Sequence, residues 1–469
     1  MTSVLGMLQE KNAGPVRLFE PRAINRPGTT TVFEEYPVIE ADASQISQYD
    51  SSETEVEEFV HIEVMEDANG DEKFPAQRAV DDNTLDDEPK WFTLSNMTLP
   101  KTQNAIVTPV VGQTLNQVQQ TIPVQLPQQG EVVVKMIWTG ICGSDVLFSV
   151  GPQPGYCGID HIAGHEGIGR IVMSTDPSLL GSPVAARYLA AYCRSCQACR
   201  DGLPESCPMQ TNFPKHHNGT FQEYLTVSIE SLMKLPQWIF DGSSTVSPGQ
   251  YTAGLCSGAA AGRALKKINP RHGDVVVITG VAGGIGHIAG MLARNVYGAK
   301  VIGVDWGWKY NALGPMAAKI FDAFVPAPEE GVSWASFQAK IEEECTKLRG
   351  PAVSSRKADG LVIAVSTKVG YQNIGDYVRD GGSIVCVGVP KEKINVSMPL
   401  SDLVERALRI QGVLMGGWEE SYEVLEYIRR GMITPIVTNI SLQEVPSRMK
   451  AFAHHGNLGK IVVQIQDVL

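Results

Sequence analysis

Four of this chain's nine cysteines crowd into fifteen positions, Cys193, Cys196, Cys199 and Cys207, spaced C-x2-C-x2-C-x7-C. Thiolates that close in sequence can all reach one tetrahedral zinc, whereas four unrelated reduced thiols have no reason to cluster. Disulfides are the other use of dense cysteines, but they belong mainly to short secreted chains, and this chain has 469 residues. Residues 1–26 mix Arg17, Arg22 and Arg26 with Glu10 and Glu20 around no apolar stretch. No secretory signal is expected there, and the expected location is cytoplasmic. With all four positions taken by sulfur, this zinc leaves no place for substrate, so its expected work is folding energy.

A single hydrophobic core rarely serves a chain of this length, so two folded domains plus an accessory segment are expected. Residues 1–90 hold 21 acidic against 7 basic side chains, a net −14 where the whole chain carries −12, which leaves residues 91–469 at +2. The acidity therefore belongs to an extension over 1–95, whose Ser/Asp/Glu runs at 50–58 and 81–88 bury too little to offset chain entropy. It is expected to be disordered, either as a solvated passenger or as an interaction tail. The near-neutral remainder has no basic stripe for nucleic acid and no apolar run near the roughly 20 residues that span a bilayer.

From 104 to about 236 the texture is of short β-rich runs, such as EVVVKMIW at 131–138. From about 256, strand-like runs at 274–280, 300–305, 360–365, 383–388 and 409–414 alternate with helical patterns, one at 286–297. That is the signature of an α/β doubly wound parallel sheet. The run at 460–465 follows the end of this pattern and is expected to return to the first domain. The domain reading is 1–95 extension, 96–252 β-rich domain, 253–416 parallel-sheet domain and 417–469 return.

Gly280, Gly283, Gly284 and Gly286 form GVAGGIG between an apolar strand and a helix. Such a turn lets the backbone approach a pyrophosphate, which then sits on free amides at the helix N-terminus, though by itself it can be only a tight turn. Asp305 sharpens the reading: it ends the second strand 19 residues after Gly286, where a carboxylate accepts from ribose hydroxyls and repels a 2′-phosphate. NAD is expected over NADP. Three further donors, Cys142 in GICGSD, His165 in GHEGIG and Cys256 in GLCSG, are the number a catalytic zinc needs beside one open position. Each alone is ambiguous, since a buried cysteine is often a small hydrophobe.

Taken in order, GICGSD, GHEGIG, the cysteine lobe, HNGTFQEY at 217–224, the Cys256 segment, GVAGGIG and LGKIVV at 458–463 resemble the zinc-containing alcohol dehydrogenases of the medium-chain dehydrogenase/reductase superfamily, the yeast-type branch most of all. The resemblance runs from about residue 96 to the end. It implies a GroES-like catalytic domain beside a Rossmann domain, two zinc ions per chain, and Cys142, His165 and Cys256 on the catalytic one, with Glu166 either approaching the metal or held in an ion pair. It also implies an oxidoreductase that exchanges hydride between NAD(H) and a small alcohol or carbonyl compound, working as a homo-oligomer, dimer or tetramer, without nucleic acid or membrane partners.

In that scheme Ser144 passes the substrate proton toward the ribose, and Asp145 either fixes the His165 tautomer or merely caps a turn. The chain departs from the yeast-type pattern at several positions. Gly143 stands where a His is usual, Lys460 where an Arg lies near the pyrophosphate, and Val150 where a proton-relay His is expected. Gln153 and Tyr188 stand where two Trp side chains narrow the substrate channel, which points to a pocket wider than ethanol needs unless Pro152 and Pro154 turn the loop away. A polyol dehydrogenase would draw a zinc ligand from glutamate, and a zinc-free reductase would lack the cysteine lobe. A noncatalytic scaffold with an acidic partner-binding arm is the remaining alternative.

Overall fold

The computed structural model describes residues 65–66, 72–73 and 89–468, apart from 96, 113–114, 151–158, 351–354, 391–392, 397 and 454–455. The expected disorder over 1–95 falls almost wholly outside these residues. Within it, Met65–Glu66 pairs antiparallel with Glu72–Lys73, in a unit distinct from the body that begins at Thr84.

In that body the elements used below run β1 (Thr102–Val110), β2 (Val118–Pro123), β3 (Glu131–Ile141), α1 (Gly143–Val150), β4 (Ile159–Ile162), β5 (Glu166–Ser174), β6 (Pro183–Arg187), β7 (Tyr224–Ser228) and β8 (Leu232–Lys234). They continue α2 (Pro248–Ala253), α3 (Ala259–Ile268), β9 (Val275–Thr279), α4 (Gly284–Asn295), β10 (Lys300–Asp305), α5 (Gly307–Leu313), β11 (Ala323–Pro326), α6 (Trp334–Arg349), β12 (Ala358–Ile363) and β13 (Val378–Cys386). The chain closes with α7 (Leu400–Glu405), β14 (Arg409–Gly412), α8 (Trp418–Arg429), β15 (Val437–Ser441), α9 (Val445–Phe452) and β16 (Lys460–Gln464).

The first sheet runs β8-β6-β5-β3-β16-β15, with β7 also on β3. β3 is apolar along almost its whole length because it is central: β5 lies on one side, and β7 and then β16 share the other. The run at 460–465 does come back to this sheet, where Val462 sits opposite Gly140 of β3. α8, by contrast, lays Val424, Leu425 and Ile428 into the same apolar cluster as α3, and the chain rejoins the first sheet only at β15.

The second sheet is wholly parallel in the order β11-β10-β9-β12-β13-β14. Every residue of β9 is buried, as expected for a strand covered on both faces. The strand order reverses direction between β9 and β12, and in such sheets the ligand crevice opens beyond the carboxyl ends at that switch point. Gly280 follows β9 directly. One apolar cluster joins the two sheets, from Ile137 and Trp138 through Tyr251 and Leu255 to Val276 and Ile278, so the junction between them is a packed core.

Candidate functional site

The glycine turn and Asp305 meet at that crevice. Gly280 has φ +73°, a left-handed conformation that favours glycine, and a Cβ on Gly286 would fall 2.1 Å from the Gly280 carbonyl oxygen. Gly283 caps α4, so Gly284 opens the helix with its first amides free of helical partners. Asp305 Oδ2 accepts from the Ala282 amide at 3.0 Å, Oδ1 accepts from the Trp306 amide at 2.9 Å, and Lys309 Nζ pairs with Oδ1 at 3.2 Å. Lys309 leaves a sign in the sequence, four residues after Asp305 at helical spacing.

Among the described residues, two groups of side chains could hold a metal ion. Cys142, His165, Glu166 and Cys256 bring one ligand atom each to within 4.8 Å of one another, and Cys193, Cys196, Cys199 and Cys207 do the same. In the first group, Cys142 follows the end of β3. Its amide donates to Asp145 Oδ2 at 2.8 Å. Asp145 Oδ1 accepts from the Gly164 amide at 3.0 Å and lies 2.8 Å from His165 Nδ1. Asp145 thus serves as both the turn cap and the imidazole's partner, fixing two ligands at once. Burial lowers the proton affinity of His165, but the Asp145 carboxylate more than offsets it and holds the pKa well above the usual value. With Nδ1 engaged, His165 Nε2 is left buried and without a hydrogen-bond partner. Two thiols, that nitrogen and a carboxylate are a donor set that suits zinc.

Glu166 is not free to turn to a metal without cost. Lys460 Nζ contacts both its oxygens, at 2.6 and 2.5 Å, and reaches Ser257 Oγ at 3.1 Å, with lysine and glutamate both buried. Burial drives the Glu166 pKa up to about 7 even against the pull of that ammonium. Lys460 also lines the crevice, so the position expected near the pyrophosphate is tied to the metal group as well.

A cavity of about 510 Å³ runs from this group to the nucleotide turn. Its wall includes Cys142, Ser144, Cys256, Gly280, Gly283, Gly284, Asp305 and Lys309, with Trp306 and Trp334 beside them. Ser144 Oγ lies 4.0 Å from Cys142 Sγ. Val150 is not on this wall; of α1, Val146 and Leu147 follow Ser144 onto it, Leu147 three residues later on the same helix face. Gly143 lines the wall without a side chain. Tyr188 stands edge-on to His165, ring centroids 5.7 Å apart at 76°, and stacks on Phe148. Gln153 lies outside the described residues, together with Pro152 and Pro154.

In the cysteine lobe, Sγ atoms approach at 3.5 Å for Cys196–Cys199 and Cys193–Cys207 and 3.9 Å for Cys193–Cys199. Backbone amides of Cys196 and Met209 point at Cys193 and Cys207 sulfurs at 3.3 Å. Amide donors from Ser195 and Cys196 bring the Cys193 thiol down to about 5, toward the thiolate a metal needs.

A parallel sheet with a dinucleotide-type glycine turn, packed against a β-rich domain, with a cysteine, histidine and glutamate group able to hold a metal on the cavity wall and a four-sulfur lobe in the β-rich domain, defines a zinc-binding dehydrogenase. The comparisons with known proteins agree. Residues 128–237 match the family model described as alcohol dehydrogenase GroES-like domain, and residues 284–430 the one described as zinc-binding dehydrogenase. Alcohol dehydrogenase 2 of Caenorhabditis elegans is 28% identical over 364 residues, 76% of this chain and 96% of that protein. Alcohol dehydrogenase 2 of Emericella nidulans is 24% identical over 382 residues, 78% and 98%. Among solved structures, acetophenone reductase from Geotrichum candidum in complex with NAD superposes with a TM-score of 0.62 at 21% identity, covering 79% of this chain and 99% of that one. The chain belongs to the zinc-containing alcohol dehydrogenases of the medium-chain dehydrogenase/reductase superfamily, and is an alcohol oxidoreductase.

Proposed function

We propose that this chain interconverts an alcohol and an aldehyde or ketone with NAD(H), using zinc held by Cys142, His165 and Cys256 and a second zinc held by the cysteine lobe. The observation that carries the reading is the cavity wall on which Cys142 and Cys256 are continuous with the glycine turn and Asp305. Bound there, zinc would supply a Lewis acid for the substrate oxygen and NAD an acceptor for the hydride. The chain's own residues do the rest. Asp145 holds His165 and the Cys142 turn in place, and Ser144, on the wall beside Cys142, offers a hydroxyl that would take up the substrate proton. Leu147 and Phe452, both on the wall, help keep water from the reacting atoms. With Leu147 on that face, no imidazole of α1 carries the proton onward.

Asp305 is the test of the cofactor. Its carboxylate is poised by two amides and Lys309 to accept from ribose hydroxyls, and charged hydrogen bonds are worth about 1.5–3 kcal/mol each. Asp305→Ser should therefore raise KM for NAD roughly ten- to hundredfold and bring NADP use toward parity. The assay is initial-rate reduction of both nucleotides across a panel of primary, secondary and benzylic alcohols. If the parent used both equally, the assignment of Asp305 would be wrong; if it reduced neither with any alcohol while holding its zinc, the scaffold alternative would stand.

We further propose self-association through the free edge of the parallel sheet. β14 lacks a second partner strand among the described residues, and Ile410, Val404, Leu400 and Leu414 are exposed on or beside it. An apolar strand edge of this kind is a template for pairing with another copy. Sedimentation should give at least twice the 50.8 kDa chain mass; a single-chain mass at micromolar concentration would refute the proposal.

A further inference from the structure

Cys256 reaches the metal group from the opposite side of the domain junction to Cys142 and His165, on a π-helical turn, Gly254–Gly258, between α2 and α3. Single π turns inside helices are uncommon and often mark functional sites. Here the Ala259 amide bonds Gly254 and Cys256 carbonyls and skips Leu255. The Leu255 carbonyl, adjacent to the ligand, is held by side chains: Arg187 Nε donates to it at 2.9 Å, and Ser421 Oγ at 3.4 Å.

Arg187 is the last residue of β6, 2% exposed, and sits directly across from Glu166 at the start of β5. The strand pair that presents His165 therefore also carries this guanidinium. Its other arm, Nη2, donates to the Gly416 carbonyl at 2.7 Å, in the segment leading from β14 to α8. Among the described residues Arg187 forms no ion pair with a carboxylate; its partners are the backbone carbonyls of Leu255 and Gly416 in the opposite domain. A buried cation without a salt-bridge partner is expensive, and two carbonyls in fork geometry offset that cost only if they stay where they are.

We propose that Arg187 is the positioning residue for Cys256, a guanidinium strut that spaces the Leu255–Cys256 turn from the strand pair bearing His165 and so sets the metal-binding geometry across the junction. The inference rests on the zinc assignment above. Arg187 is not one of the candidate ligands and acts through the Leu255 carbonyl. Lys at this position would keep the charge but could not span both carbonyls with a rigid fork, and Met would keep much of the apolar stem with no donor.

The zinc-loaded full chain, with Arg187→Lys and Arg187→Met, should be challenged with a chelator while zinc release is followed colorimetrically, and cobalt-substituted protein should be examined in the visible region. The parent should release two zinc ions in two phases. Both variants should lose the junction zinc roughly 10- to 100-fold faster, the range typical for groups that orient metal ligands. The lobe zinc should leave at the parental rate, the cobalt absorption of the open site should shift, and kcat should fall more than KM rises. Arg187→Lys guards against a Met variant that does not fold. Release of the junction zinc at the parental rate with an unshifted cobalt spectrum in a folded variant would overturn the proposal, as would equal acceleration of both phases, which marks general loosening. A parent that binds only the lobe zinc would instead overturn the zinc assignment beneath it.

Discussion

Cys142→Ala should lower kcat by roughly three orders of magnitude or more while the protein still folds. A metal acting as Lewis acid contributes several kcal/mol to the transition state, and each ~1.4 kcal/mol is tenfold in rate. Of the three ligands proposed for the open group, Cys142 is the one whose loss should do least to the scaffold. Its side chain is only partly buried, its sulfur borders the cavity rather than the core, and the Asp145 cap bonds its backbone amide, which alanine retains. His165 is embedded between Asp145 and Tyr188, and Cys256 is on the strutted turn, so their variants mix chemistry with architecture. Elemental analysis of Cys142→Ala should show zinc per chain falling from two toward one, with a melting curve close to the parent's. Retention of parental turnover by a variant with one zinc fewer would remove Cys142 from the chemistry.

What the sequence made legible here was what lies within a few residues. The lobe is visible because its four sulfurs are spaced to share one ion, and the nucleotide turn because Gly280 to Gly286 lies between a strand and a helix whose periods differ. Asp145 could be read as either cap or imidazole partner, and its three contacts show it to be both. Longer connections left no local trace. Lys460 meets Glu166 across 294 positions, and Arg187 meets Gly416 across 229; such pairs are set by where β16 and β6 enter the sheet, which no period reports. The relay exit left no local sign, because a count along the sequence does not say which side of α1 faces the cavity; the fold puts Val146 and Leu147 there, not Val150. β11 was missed because four residues are too few to show alternation.

Cys196→Ala should do the reverse of Cys142→Ala, leaving the chemistry and undermining the protein. Cys196 sits 3.5 Å from Cys199 across a lobe that is built of short turns with little apolar packing of its own, since only Cys207 among its four sulfurs is buried. Such a lobe takes its order from the ion: structural zinc binds with an apparent 10–16 kcal/mol or so in small peptides, as large as the roughly 5–15 kcal/mol that holds a whole domain folded. What that order does for the rest of the molecule is visible at Glu205, held between Cys199 and Cys207. Its carboxylate pairs with Arg263 of α3 at 2.7 Å, with both side chains largely shielded, and Arg263 also donates to the Gly202 and Met415 carbonyls. The lobe thereby braces the helix that follows the Cys256 turn. Losing one sulfur should release about one zinc per chain and lower the melting temperature by on the order of 10 °C, which corresponds to a few kcal/mol in a domain of this size. At low temperature, turnover per folded molecule should stay close to the parent's. Because the Arg263 contact depends on an ordered lobe, adding Arg263→Met to Cys196→Ala should cost much less than Arg263→Met costs in the parent, a coupling that a double-mutant cycle by calorimetry measures directly. If Cys196→Ala kept two zinc ions and the parental melting temperature, or if the two substitutions were additive, the lobe would not be the brace that this geometry makes it.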